Sequence, residues 1–213
     1  TDLFDVSAVS APARITLVVD TSGSMARIEN DPRPEVTSYN GDCSGEQVYD
    51  DLEDRTPYRI IGQFTIQNAD RKICIVRSIL LSFLDASVGG EIVWPDNFEV
   101  GLARYGVPGG IIVAPVSQLG SIADPDSHRN RLIQAVQSLS AAGATPLVGS
   151  YLEVAEYLTG GQAVGAASSQ SDSSVWVGDT SSDTRYKGVD LGPQCGITNN
   201  HLVFLTDGES SCE

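Results

Sequence analysis

The stretch that decides the fold is Ile15-Thr16-Leu17-Val18-Val19-Asp20-Thr21-Ser22-Gly23-Ser24. Its first half is a short, β-branched, nearly continuous apolar run. Such a run reads as a strand buried on both faces, as in a parallel sheet. Its second half is a polar loop. Asp20, Ser22 and Ser24 are alternate residues, and Gly23 lets the backbone bend so that their oxygens converge. One carboxylate and two hydroxyls are hard oxygen ligands. They suit Mg²⁺, Mn²⁺ or Ca²⁺ rather than zinc or copper.

Working outward, a second run of this kind is Leu202-Val-Phe-Leu205, followed by Thr206 and Asp207. Both expected strands thus finish on an aspartate and a small-residue loop. Between them, Ile73, Val76, Leu80, Leu81 and Leu84 recur at the spacing of one helical face, predicting a helix over 70–84. Phe98 to Tyr105 alternates like a strand. Ile111-Ile-Val-Ala114 follows Pro108-Gly-Gly110, so the two are expected to form a hairpin. Asp124-Pro125 is expected to open a helix with Leu132, Ile133, Val136 and Leu139 inward. Thr145-Pro146 is expected to open another, with Thr145 as cap and Leu147, Tyr151, Val154, Ala155 and Leu158 inward.

Two stretches lack a period. Residues 27–69 are rich in Asp, Pro, Gly and Asn, and residues 160–198 in Ser, Gly, Ala and Asp. Both read as long, partly mobile insertions. Within the first, Tyr58–Ile61 and Phe64–Ile66 suggest a small hairpin. The element order gives an α/β domain with a mostly parallel sheet and one antiparallel edge. Ligands in such sheets sit at the carboxyl ends of the strands, where Asp20 and Asp207 stand.

Composition bounds the partners. The 213 residues are 41% hydrophobic and carry a net charge of -15. That surface repels nucleic-acid phosphates and anionic membranes, so no nucleic acid and no membrane insertion are expected. The apolar runs are too short to span a bilayer. The chain opens at Thr1 with no methionine and no charged n-region, which leads us to expect a segment upstream.

Cys43, Cys74, Cys195 and Cys212 contain no C-x-x-C pair, which argues against a zinc ribbon. Two disulfides in an oxidising compartment are expected, in any of three connectivities. Cys43 and Cys212 are both expected at the metal end of the sheet, near each other. A Cys195–Cys212 bridge would need the chain to fold back.

Asp-x-Ser-x-Ser after an apolar strand resembles the metal-ion-dependent adhesion site of von Willebrand factor type A domains. Gly143-Ala-Thr145-Pro-Leu147 is similar to that family's threonine element, and Leu205-Thr-Asp207-Gly208 to its aspartate element. The three parts occur in the family's order. A closer resemblance is to the type A domain of PilY-type adhesins at type IV pilus tips, carried by Gln194-Cys195 and by Asn199 to Glu209.

The resemblance implies a Rossmann-like sheet with helices on both faces. It implies a divalent cation, Mg²⁺ before Mn²⁺ or Ca²⁺, held by Asp20, Ser22, Ser24, Thr145 and Asp207. It implies adhesion without catalysis, through an Asp or Glu of a protein ligand, a host or surface receptor, or a pilus component. The place implied is extracellular, at the cell surface or pilus tip, reached through the periplasm. The alternative is a structural, mechanosensing or assembly role in pilus biogenesis, with a structural metal.

The family also continues beyond its aspartate element. This chain ends at Glu213, so that part of the fold is expected to be absent, the domain (1–213) truncated, and Leu202–Leu205 left as an exposed apolar edge.

Catalytic readings are weaker. Gly109-Gly110 and Gly160-Gly161 lack the Lys-Ser/Thr of a phosphate-binding loop. His128 is expected at a helix start, and His201 as a structural residue of a buried strand. Asp42, Asp50, Asp51 and Asp54 read as a solvated acidic loop, and Glu209 as a solvated carboxylate. Trp94 and Trp176 read as packing residues, with an exposed contact as a second possibility for Trp176.

Overall fold

The computed structural model describes residues 13–28, 38–41, 43–49, 64–85, 94–107, 109–165, 170–178, 184–189 and 200–207. Their main feature is a four-stranded sheet in the order β6-β5-β1-β8. Strand β1 is Arg14–Val19, β5 is Glu99–Tyr105, β6 is Gly110–Gln118 and β8 is Asn200–Leu205. β1 pairs parallel with β5 on one side and with β8 on the other. β6 runs antiparallel to β5 as an edge. The expected α/β class, with a mostly parallel sheet and one antiparallel strand, is what the chain forms.

Among the described residues three helices flank the sheet: α1 (Lys72–Leu84), α2 (His128–Gln137) and α3 (Leu147–Thr159). Successive β1 side chains point to opposite faces, and both faces are covered. Leu17 and Val19 enter one core cluster with Ile73, Leu80 and Leu84 of α1 and Leu132 and Val136 of α2. Val18 enters the other, with Ala103, Tyr105 and Ile112 of the sheet and Val154 and Tyr157 of α3. Burying each such aliphatic side chain contributes roughly 1.5–3 kcal/mol. A strand this rich in apolar residues on both faces suits only such a two-faced setting.

Several boundaries differ from expectation. The helix placed at Asp124-Pro125 begins at His128. Asp124 instead closes a turn: its carboxylate accepts from the Asp126 amide at 3.0 Å and its carbonyl from the Ser127 amide at 3.0 Å. Such side-chain bonds compete with helix. Ser127 then caps α2. Pro146, expected inside α3, sits at its cap position, and Thr145 lies one residue further out. Tyr151 is 51% exposed and leans on Phe204, so the inward aromatic of α3 is Tyr157.

β8 is not buried on both faces as expected: His201 and Val203 are exposed. It is an edge of the sheet among the described residues. His201 is therefore not a buried structural residue.

The described parts of the two insertions carry paired strands and packed side chains. β4 (Phe64–Gln67) pairs antiparallel with β3 (Glu46–Tyr49); Tyr58–Ile61, its expected hairpin partner, lies outside the described residues. β2 (Ser38–Tyr39) pairs with β7 (Ala141–Ala142). The described parts of the second insertion close onto α3. Trp176 is buried and stacks on Tyr186 at 4.3 Å, so it packs and offers no exposed contact. Trp94 stacks on Phe83. Fully buried Glu153 anchors this lobe, accepting from the Tyr186 hydroxyl at 2.6 Å and from the Val164 and Gly165 amides at 3.0 and 2.8 Å.

Cys43 is bonded to Cys74, with Cα atoms 5.4 Å apart. Cys43 therefore does not pair with Cys212; the expected closeness of the two falls outside the described residues. The segment after β2 folds across α1, where Cys74 faces the core in the first turn. Cys195 and Cys212 lie outside the described residues, as do Asp42, Asp50, Asp51, Asp54 and Glu209.

Candidate metal centre

β1 and β8 end side by side, with Val19 in register with Leu205. The Asp20 amide continues that pairing, donating to the Leu205 carbonyl at 2.8 Å. The loops after both strands therefore start from one place. β1 also marks where the chain's crossovers diverge, since β5 lies on one side of it and β8 on the other.

Asp20 is fully buried. Its Oδ1 accepts from the Ser22 amide at 2.8 Å, and its Oδ2 from the Thr206 hydroxyl at 2.8 Å. The first bond shapes the loop and the second ties it to β8. Gly23 opens a short 3-10 helix, Gly23–Ala26, which turns Ser24 back toward the sheet end. The Ser22 and Ser24 hydroxyls lie 2.9 Å apart, and the Ser24 hydroxyl donates to Oδ1 of Asp207 at 2.9 Å.

The threonine element docks by its backbone. The Ala142 amide donates to the Thr21 carbonyl at 2.7 Å, and the Gly23 amide to the Gly143 carbonyl at 2.9 Å. Gly143 has φ +85°, so the chain reverses there in the left-handed region. Half-buried Thr145 follows two residues later, its carbonyl accepting from the Leu147 amide at 2.9 Å. The side-chain hydrogen bonds thus take in Asp20, Ser22, Ser24 and Asp207. Thr145 is placed by the docking of its loop.

Sequence reasoning missed three neighbours. Lys72, the first residue of α1, pairs with Oδ2 of Asp207. Thr206 holds Asp20 as described. Tyr105, at the end of β5, buries its ring beside both aspartates. Burial pushes its phenol pKa up, and the Asp20 and Asp207 charges push the same way. The adjacent Thr206 hydroxyl offsets part of this, although no well-formed hydrogen bond reaches the phenol oxygen among the described residues. A strand-terminal tyrosine and a helix-initial lysine carry no motif. Only their proximity to strand ends could have drawn attention to them.

The donor set fits a small hard cation. Adjacent ligands around octahedral Mg²⁺, at about 2.0–2.1 Å from the ion, stand about 2.9 Å apart. The Ser22–Ser24 and Ser24–Asp207 oxygen spacings are both 2.9 Å, here bridged by hydrogen bonds. No three His, Cys, Asp or Glu side chains gather among the described residues, so the site rests on hydroxyls as much as on carboxylates. Both oxygens of Asp20 already accept protein hydrogen bonds, which suits a ligand acting through water.

Comparisons with protein-family models, with curated protein sequences and with solved structures find no match for this chain.

Proposed function

We propose that this chain is a metal-ion-dependent binding module of the von Willebrand factor type A kind. It takes an acidic side chain of a protein partner and breaks no bond. The observation that carries the reading is the run of oxygens Ser22–Ser24–Asp207 at 2.9 Å spacings, at the carboxyl ends of adjacent parallel strands.

When bound, a divalent cation supplies a positive centre with an open position for a partner carboxylate. Ser22, Ser24 and Thr145 would hold it with neutral hydroxyls. Asp207 would contribute one direct carboxylate oxygen, and Asp20 would act through water. With few anionic ligands, the centre keeps net positive charge and attracts an external Asp or Glu. The resemblance to pilus-tip adhesins supports an extracellular setting, with a surface receptor or pilus component as partner.

The alternative, a structural metal, is less well supported. The two strand ends are already joined by the Asp20–Leu205 and Thr206–Asp20 hydrogen bonds.

The test is panning of a displayed peptide library on the immobilised protein in Mg²⁺, with elution by chelator. Enrichment of peptides sharing an Asp or Glu, lost with Ser24→Ala, is expected. Chelator-insensitive binding, or hydrolase activity that needs Ser24 and Asp207, would overturn the reading. Unfolding on chelation would favour the structural metal.

A further inference from the structure

We propose that Lys72 is a selectivity residue of the candidate cation site, holding Asp207 to one-oxygen ligation and so favouring Mg²⁺ over Ca²⁺. This rests on the cation-binding reading above.

The two oxygens of Asp207 face different partners. Oδ1 accepts from Ser24, which in turn contacts Ser22. Oδ2 is paired with the Lys72 ammonium at 2.5 Å. A cation seated against the serine hydroxyls meets Oδ1 alone, while Lys72 holds Oδ2. The lysine is itself well fixed. Its amide donates to the Arg27 carbonyl at 2.9 Å, at the end of the metal loop. Neighbouring Arg71 is buried, donates to the Ala26 carbonyl and lies over the Tyr39 ring. The start of α1 is thus locked to the turn that carries Ser24.

This geometry discriminates between the ions. Ca²⁺ takes about 6–8 oxygens and readily uses both oxygens of one carboxylate, whereas Mg²⁺ demands a near-octahedral shell of about six. A carboxylate with one oxygen reserved satisfies the second ion better than the first. Lys72 has a separate effect through its charge, lowering the affinity for either ion. The two effects are separable because only the first changes the ratio of affinities.

The experiment is calorimetric titration of the wild-type chain, Lys72→Met and Lys72→Gln with MgCl₂ and, separately, CaCl₂. A thermal melt of each variant accompanies it. Lys72→Met is expected to tighten both ions, and Ca²⁺ by about tenfold more than Mg²⁺. Lys72→Gln, neutral but still a donor to Oδ2, is expected to tighten both ions with a ratio close to wild type. Lys72→Ala replaces the Met variant if that one fails to fold.

An unchanged Mg²⁺/Ca²⁺ ratio in the Met or Ala variant, with wild-type binding intact, overturns this inference and leaves the site standing. Wild-type protein that takes up neither ion overturns the site and the inference together.

Discussion

The amide of Gly23 donates to the carbonyl of Gly143 at 2.9 Å, joining the loop after β1 to the loop before α3. These loops are 120 residues apart in sequence, and each carries part of the candidate ligand set. Gly143 holds φ +85°, and a Cβ built there would meet nothing within 4 Å. Gly143→Ala therefore introduces backbone strain without a clash, at a cost of about 1–2 kcal/mol. Because the strained carbonyl is the one that docks Gly23, Mg²⁺ affinity should fall as well. Gly45 is the control: its φ is +74° and its surroundings equally open, but it lies by β3. Gly45→Ala should cost similar stability and leave Mg²⁺ titrations unchanged. Equal Mg²⁺ affinity in both variants would mean that the Gly23–Gly143 contact does not position the site.

Asp20 and Ser24 should separate folding from binding. Asp20→Ala strips an acceptor from the buried Ser22 amide and from the hydroxyl of Thr206, an exposed residue that water can reach. Leaving the buried Ser22 amide unmet costs about 1–3 kcal/mol, and a loss of that size in urea unfolding is expected. Ser24 is only half-buried and bonds two other side chains. Ser24→Ala should cost about 1 kcal/mol or less while weakening Mg²⁺ at least about tenfold. A Ser24→Ala protein that titrates like wild type would remove Ser24 from the ligand set.

What the sequence made legible follows from where the information is local. The run Ile15–Val19 announces a two-faced strand because all but Thr16 are apolar, and the structure uses Leu17 and Val18 on opposite faces. The helical period of Ile73, Leu80 and Leu84 was readable for the same reason. Asp20, Ser22 and Ser24 sit within one turn, so their convergence was readable too.

The rest depends on contacts distant in sequence. Val175, Trp176 and Tyr186 have no period, and the lobe they form is secured by backbone amides donating to Glu153, which sits on another element. Lys72 reaches Asp207 across 135 positions. Cys43 and Cys74 could have paired in any connectivity until the approach of Gly41 and Cys43 to α1 was known.

The Cys43–Cys74 bridge closes a loop with a sequence separation of 31. In the chain-entropy account, a loop of that size contributes about 3–4 kcal/mol by restricting the unfolded chain. The double variant Cys43→Ala/Cys74→Ala should therefore lower the urea midpoint with little change in spectroscopic signature at zero denaturant. The comparison should use the variant rather than a reductant, which would also act on Cys195 and Cys212. An unchanged midpoint would show that the segment is held by other contacts, among them the Arg77 bond to the Gly41 carbonyl at 3.0 Å.

His128 should give the fold a pH dependence in the weakly acidic range. It opens α2, and its Nε2–H donates to the Val100 carbonyl of β5 at 2.7 Å. Burial pushes its pKa below the usual 6.5; the Val100 carbonyl pulls part of the way back, Arg131 adds to the lowering, and Asp172 opposes it. The sign follows directly. Between the folded value and 6.5 the unfolded chain binds a proton that the folded chain refuses, so stability falls as pH drops through that window. Above 6.5 the contribution is fully present, and below the folded value the loss levels off. His128→Gln, neutral at every pH, should flatten this part of the stability profile measured by urea unfolding from pH 7.5 to 5 (the range is about that in which only histidines titrate). If the slope survives unchanged in His128→Gln, the pH dependence does not come from the contact between α2 and β5.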